Sequence, residues 1–220
     1  MAPRIDDDVT IEMLDRATQN ELRALEDNVK EFVAGHLVMA GRVLEEDPEL
    51  SLRHASAAAD RASRLAVVRE ACGIAAYAAQ NWEQAIRELR AAMRIGGTVE
   101  FLPLVADCER GLGRPERALQ IAGSPEAQRL SKAGRVELRI VAAGARADMG
   151  QIDAALVTLK CPELREQTVH EWSIGLWYAY ADMLQRAGRD VDAREWFAKA
   201  AAADDDEETD AAQRLADLLD

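Results

Sequence analysis

The sequence contains few of the residues that build disulfide, metal or catalytic sites. It has three cysteines, and none is spaced as a Cys-x-x-Cys ligand pair. Three cysteines cannot all pair within one chain, and Cys72 and Cys108 lie in apolar helical stretches, where a free thiol behaves as a small hydrophobic side chain. This usage is typical of a reducing compartment, and we expect a cytoplasmic protein.

Long apolar runs are missing as well. No early apolar run follows Arg4, and no stretch of about 18 uncharged apolar residues occurs in the chain. The sequence therefore predicts neither a secretion signal nor a membrane-spanning segment, and we expect no membrane partner.

Histidine is scarce and dispersed, with only His36, His54 and His170. No His-x-x-x-His, Gly-x-Ser-x-Gly or glycine-rich phosphate loop is present. Cys161 precedes Pro162 at a predicted helix end and has no neighbouring base that would activate it. We therefore predict no catalytic residue, cofactor or metal site, and a protein that is not an enzyme.

Positive charge is in the minority. The chain has 27 Lys and Arg against 40 Asp and Glu, which gives a formal net charge of -13 and a pI of about 4.8. A chain of this sign repels nucleic-acid phosphates, so we expect no nucleic-acid partner. Acidic runs at 6–8 and 204–210 add to the excess. We interpret them as solvated segments or charged helix starts, with a metal or partner site as the alternative.

Aromatic residues are few, at 5% of the chain, although 49% of all residues are hydrophobic. Many of the apolar residues are alanines. Alanine suits helices that approach one another closely, whereas a large β-core favours branched and aromatic residues. The composition therefore predicts an all-α protein.

A small residue recurs at intervals of about 33 to 38 residues, each time at the start of a predicted second helix. The five positions are Ser51, Ala85, Ala118, Ala155 and Ala193. Apolar or small residues follow four and often seven positions later, on the same helix face. Five residues before three of these positions stand Gly113, Gly150 and Gly188, which can end a helix in the left-handed conformation. Each copy therefore predicts a helix, a tight turn and a second helix.

This period resembles the tetratricopeptide repeat. In that family the second helix carries an Ala, aromatic and Ala triplet, best kept here as Ala193, Phe197 and Ala200. The small residues half-way along the first helices would be Gly73, Ala106, Ala143 and Ala181. The family's terminal proline is missing, and the third copy is cut short at Gly123-Ser124-Pro125. The Ala, Arg and Asp usage is similar to that of small tetratricopeptide-type proteins of high-GC, actinobacterial-like bacteria.

The resemblance implies a right-handed helical-repeat solenoid of about five antiparallel helix pairs with capping helices at both ends. The predicted organisation is an N-terminal segment or capping helix at 1–27, a repeat array at 28–204 and a C-terminal capping helix at 205–220. The repeats are expected at about 28–62, 65–95, 99–122, 132–160 and 169–203. The N-terminal segment is expected to be either a cap or a detachable arm.

In tetratricopeptide arrays the first helices line a concave groove, and the resemblance implies which residues would bind a partner there. They are His36, Glu70, Ile74, Tyr77, Glu100, Asp107, Arg110, Glu137, Ile140, Tyr178, Asp182 and Arg186. Carboxylates outnumber arginines in this set, so the groove would attract a basic or mixed-charge peptide or helix. The Lys and Asn clamp with which some members bind acidic tails is absent.

These patterns leave two functions open. The first is a non-enzymatic adaptor or scaffold that holds a partner in the acidic groove. The alternative is a self-associating structural protein, a homodimer without a peptide ligand, formed through residues 10–25 or the aromatic residues at 172–180. Among those aromatics we expect Trp177 and Tyr180 to face the core together and Tyr178 to point elsewhere. A third reading treats the groove charges as solubilising only.

Overall fold

The computed structural model describes residues 2–219, and within them the chain forms α-helices and short 3-10 helices but no β-strand. Met1 and Asp220, the outermost residues of the two predicted terminal segments, lie outside the described residues. The all-α prediction is confirmed for the described part of the chain. The chain divides after Leu112 into two compact units.

The described residues of the first unit, 2–112, form six α-helices, and helices that are neighbours in the chain pack against each other. They are α1 (Arg16–Leu22), α2 (Asp27–Arg42), α3 (Pro48–Ala62), α4 (Ala66–Ala78), α5 (Trp82–Gly96) and α6 (Leu102–Gly111). Helix α2 also contacts α4, and a 3-10 helix at Ile11–Met13 contacts α2. The N-terminal segment and the first helices therefore form one packed body.

In the second unit, residues 113–219 form six further α-helices and two 3-10 helices. The α-helices are α7 (Pro115–Ala122), α8 (Lys132–Asp148), α9 (Ile152–Leu159), α10 (Ser173–Arg186), α11 (Asp190–Ala201) and α12 (Ala211–Asp217), and the 3-10 helices are Glu126–Arg129 and Pro162–Arg165. Consecutive α-helices pack together, and α8 also contacts α10. The third predicted range, 99–122, is divided by the boundary, with α6 in the first unit and α7 in the second.

The turns between paired helices have the backbone that the glycines predict. Gly113, Gly150 and Gly188 have φ of 69°, 74° and 71°, which is the left-handed region. Gln80 occupies the equivalent position five residues before Ala85 and takes the same conformation, with φ of 55°. A side chain there is strained, since only glycine adopts this region without steric cost. The left-handed conformation at this position is therefore imposed by the arrangement of the two helices, and it forms even where the residue is not glycine.

The small residues mark the places where helices approach most closely. Ala106, Ala143 and Ala181 are at most 1% exposed, and Gly73 is also buried. A Cβ added at Gly73 would lie 2.6 Å from the Cγ atom of Leu89 on α5. Helices α4 and α5 therefore touch at a point where no larger residue fits without displacement.

The core of the second unit collects most of the aromatic side chains. Trp172, Trp177 and Tyr180 are 5%, 2% and 6% exposed, and Phe197 is fully buried. The Trp177 indole Nε1 donates a hydrogen bond to the Leu164 carbonyl oxygen at 3.3 Å, so its polar atom is satisfied inside the core. The expectation that Trp177 and Tyr180 pack inward is confirmed.

Candidate functional site

The N-terminal arm, residues 5–25, is docked on α2. The Ile5 side chain covers Gly35, where an added Cβ would meet it at 2.8 Å. The Arg42 guanidinium forms ion pairs with Asp6 at 3.0 Å and Asp8 at 2.8 Å, and its hydrogen bond to Asp8 lowers the pKa of that carboxyl. Part of the acidic run at 6–8 therefore pairs with the chain's own arginine.

The far end of the arm is anchored by burial. Leu22 is fully buried and packs in a cluster with Val33, Leu37 and Val68. The neighbouring Glu21 carboxylate accepts a hydrogen bond from the backbone N–H of Val67 at 3.3 Å, in the first turn of α4. A carboxylate at a helix N-terminus satisfies a free donor and interacts favourably with the helix dipole. The arm is therefore attached to both α2 and α4.

A mainly apolar pocket of about 210 Å³ lies between the arm, α2 and α4. The arm contributes Leu14 and Thr18, and the rest of the lining comes from α2, the loop after it, α3 and α4: Leu37, Ala40, Gly41, Leu44, Ser51, Val67, Glu70, Ala71 and Ile74. Glu70 and Ile74 are two of the predicted binding residues, and the structure brings them together at this site. The contribution of the arm was not predicted, because it depends on how residues 5–25 fold back.

Glu70 is the charged residue of this pocket. It is partly buried, and burial raises its pKa above the ordinary value of 4.5, with further contributions from the negative charges of Glu21 and Asp15. Within residues 2–219 no hydrogen bond or ion pair neutralises its carboxylate. The pocket therefore combines apolar walls with a negative charge that lacks a cationic partner.

The other predicted residues of the first unit are engaged in a local network or lie apart. The Tyr77 hydroxyl donates to Asp107 at 2.7 Å, and the Arg110 guanidinium donates to the same carboxylate at 2.8 Å. Burial and the Asp107 carboxylate raise the pKa of Tyr77, so its hydroxyl stays protonated. Asp107 is thus already neutralised by its own neighbours. Glu100 is exposed just before α6.

His36 does not line a surface. It is 1% exposed, and its ring faces α3, where its Nδ1 lies 2.8 Å from the Nδ1 of the equally buried His54. One ring donates this hydrogen bond and the other accepts it, which requires that the accepting ring is neutral. The prediction of a groove position at His36 fails because this face of α2 is used for packing on α3.

This histidine pair predicts a loss of stability in acid. Burial, aided by the charge of His54, lowers the pKa of His36 from 6.5 to about 4, and burial also lowers the pKa of His54. Between these values the unfolded chain binds a proton that the folded chain does not, so the free energy of unfolding falls as the pH falls from 6.5 towards 4. We expect His36 to contribute a loss of about 3 kcal/mol.

Urea unfolding at pH 7 and pH 4.5 measures this effect. The double variant His36→Leu/His54→Leu removes both partners and should lose less stability than the wild type over the same interval. An equal loss in both proteins would show that other groups cause the acid sensitivity.

In the second unit the C-terminal helix α12 covers predicted binding residues. Arg214 of α12 donates hydrogen bonds to Asp182 at 2.8 Å and to the Tyr178 hydroxyl at 3.1 Å, and that hydroxyl donates to Asp210 at 2.6 Å. Asp182 also pairs with Arg186 at 3.8 Å. These side chains therefore hold α12 in place against α10.

The remaining two predicted residues lie on α8. Ile140 is partly buried and packs against the core of the second unit. Glu137 is exposed. Partial desolvation of its carboxyl and the negative charge of Glu171 raise the pKa of this group. Neither residue lines the pocket that contains Glu70.

Among residues 2–219 no group of three or more His, Cys, Asp and Glu side chains is placed to hold a metal ion. None of the helices in the described part of the chain combines the length and hydropathy needed to cross a membrane. Compared with known proteins, the chain matches no protein-family model and no curated protein.

Proposed function

We propose that this protein is a non-enzymatic cytoplasmic adaptor that binds a basic or mixed-charge peptide or helix of a partner protein. The binding surface is the pocket formed by the arm, α2 and α4, within a tetratricopeptide-like, right-handed arrangement of helix pairs. The observation that carries the proposal is Glu70, a partly buried carboxylate beside apolar walls without an ion-pair partner among residues 2–219.

A lysine or arginine side chain fits this combination. Its aliphatic stem packs against Leu37 and Ile74, while its charged group reaches the Glu70 carboxylate. The charges of Glu21 and Asp15 act in the same direction, since both already disfavour the ionised form of Glu70. A bound cation relieves this repulsion and forms a charge-assisted hydrogen bond in a partly desolvated site.

Self-association, the rival function, loses most of the apolar surface that was named for it, although Met13 of the arm is 52% exposed. Trp172, Trp177 and Tyr180 are buried in the core of the second unit, and Leu22 of the arm is buried in the first. Side chains that are already covered within one chain offer no apolar area to a second copy. The adaptor therefore accounts for more of the structure than the homodimer does. The three buried, unpaired cysteines support a reducing location.

Charge reversal at Glu70 tests the proposal. Partners are first captured from a lysate of the source organism. Synthetic peptides then represent the captured proteins, each with its natural sequence and with one lysine or arginine replaced by glutamine. We expect Glu70→Lys to weaken binding by about tenfold or more, and Glu70→Gln to weaken it less. Asp60→Lys is the matched control, because Asp60 is exposed on α3 and a lysine near that helix end is tolerated.

The possible results distinguish the adaptor, another binding site and self-association. The adaptor is supported if binding of a peptide requires both the basic residue of the peptide and Glu70. The Asp60→Lys variant must still bind the same peptide. Undiminished binding by Glu70→Lys removes this pocket as the site. Sedimentation of the wild type as a dimer, together with the absence of any Glu70-dependent partner, favours the self-associating alternative.

A further inference from the structure

The second unit contains a cavity of about 440 Å³ whose charge is opposite to that of the protein. It lies among α7, the 3-10 helix at Glu126–Arg129, α8 and α9, and three arginines of α8 line it: Arg135, Arg139 and Arg146. We call it the arginine cavity. In a chain of net charge -13, three cationic side chains in one cavity require an explanation.

The arginines share one face of α8. They are separated by four and seven positions, and Ala142 lies between the last two on the same face. No Asp or Glu of the described residues lines the cavity. The concentration of positive charge is therefore a property of this helix face and is not compensated at the cavity wall.

Each arginine retains hydrogen-bonding capacity. Arg135 donates to the Leu130 carbonyl oxygen at 2.6 Å, and Arg139 donates to the Thr158 carbonyl oxygen at 3.4 Å. These contacts position two guanidinium groups and use one of the five donors that each group carries. The Nε of Arg146 is buried and has no hydrogen-bond partner within residues 2–219. A buried donor without a partner is uncommon in folded proteins, so Arg146 keeps hydrogen-bonding capacity that the described residues do not use.

A neighbouring carboxylate does not account for the charge. Glu163 has a lowered pKa, chiefly through a backbone hydrogen bond and to a smaller degree through the charges of Arg139 and Lys132. Glu163 does not line the cavity, and only Arg139 of the three arginines is among the causes of its shift. Arg135 and Arg146 therefore remain as positive charges facing the cavity.

Most of the remaining lining is apolar, and Gln128 and Thr158 are its polar members. Ala127, Leu138 and Ala142 are 4%, 4% and 6% exposed and form the inner wall. Val157 is 68% exposed and lies at the outer edge, so the cavity opens to solvent. A site of this kind fits a molecule with an anionic group and an apolar body.

We propose that the arginine cavity binds a small organic anion, with the arginines of α8 holding a phosphate or carboxylate group and the inner wall holding the apolar part. Guanidinium groups suit both oxyanions, because their donors form a planar fork that pairs with two oxygens at once. This site is independent of the Glu70 pocket, since it lies in the other unit and selects ligands of the opposite charge.

Titration calorimetry with defined probes tests the proposal. Phenyl phosphate and benzoate represent the two oxyanions on an apolar body, inorganic phosphate represents the anion alone, and phenol represents the body alone. We expect saturable binding of phenyl phosphate or benzoate that is tighter than that of inorganic phosphate or phenol and that weakens with added salt. The stronger of the two probes identifies the oxyanion.

Variants connect binding to the cavity. Arg139→Gln/Arg146→Gln should weaken binding by about tenfold or more, whereas Arg146→Lys should keep part of it, because the charge remains while the fork is lost. Arg189→Gln removes the same charge from an exposed ion pair on the surface of this unit and should bind as the wild type does. Circular dichroism verifies that each variant is folded. If Arg139→Gln/Arg146→Gln does not fold, the affinity of Arg146→Lys tests the proposal in its place.

Three results would overturn the proposal. The first is that the wild type shows no saturable binding of either aromatic anion. The second is that Arg139→Gln/Arg146→Gln binds the anion as tightly as the wild type does. The third is that Arg189→Gln loses as much affinity as Arg139→Gln/Arg146→Gln does. The last result would mean that net charge, and not the cavity, attracts the anion.

Discussion

Replacing Phe197 by alanine should lower the free energy of unfolding of the second unit by about 3–5 kcal/mol. Phe197 is fully buried in a cluster that includes Leu176, Ala193 and Ala200. Its ring centroid also lies 4.8 Å from the Arg214 guanidinium, which connects α11 to α12. Truncation removes apolar contacts and leaves a cavity that the rigid neighbours cannot fill.

Urea unfolding followed by tryptophan fluorescence measures this loss, since Trp172, Trp177 and Trp196 all belong to the second unit. Val191→Ala is the matched control on the same helix. Val191 is 70% exposed, so its truncation should change stability by no more than about 0.5 kcal/mol. A similar small change for both variants would mean that α11 presents a different face to the core.

The second large effect concerns the N-terminal arm. Leu22→Ala should destabilise the first unit by about 2–5 kcal/mol, because Leu22 is fully buried against Val33, Leu37 and Val68. Its loss also weakens the anchorage that holds Glu21 at the start of α4. We therefore expect faster amide hydrogen exchange in residues 16–22 and in the first turn of α4.

Hydrogen exchange read by mass spectrometry, combined with urea unfolding, tests both parts of this prediction. Met13→Ala is the control, because Met13 lies in the arm but is 52% exposed. If Leu22→Ala leaves exchange in the arm unchanged, the ion pairs of Arg42 and the packing of Ile5 suffice to hold the arm on α2.

The arm also affects the proposed binding site, because Leu14 and Thr18 form one wall of the pocket that contains Glu70. A variant with a released arm therefore separates two effects. If peptide binding falls with Leu22→Ala, the arm is part of the binding surface. If binding rises, the docked arm competes with the partner for the faces of α2 and α4.

Local patterns predicted much of the helical structure. The glycines before Ala118, Ala155 and Ala193 have the left-handed backbone that ends one helix and allows the next. A left-handed turn depends on residues that are close in the chain, so spacing and turn residues are sufficient to place it. The burial of Ala193, Phe197 and Ala200 followed from the same spacing.

The binding residues were predicted with less success. Glu70 and Ile74 do share a pocket, but His36 is buried against His54, and Asp182 is paired with Arg214 of α12. The resemblance assigned one face of each first helix to the groove. It contained no information on which part of that face packs against a neighbouring helix or is covered by a terminal segment.

The sequence by itself determined that this protein is helical, which glycines form the left-handed turns between helices, and which small residues are buried where helices pack. Only the tertiary structure decided where the arm docks, that Glu70 lacks a counter-charge among residues 2–219, and that Arg135, Arg139 and Arg146 line one cavity. The physical reason is the range of the interactions. Helices form from neighbours in the chain, whereas pockets and charge pairs form between segments whose approach depends on packing throughout a unit.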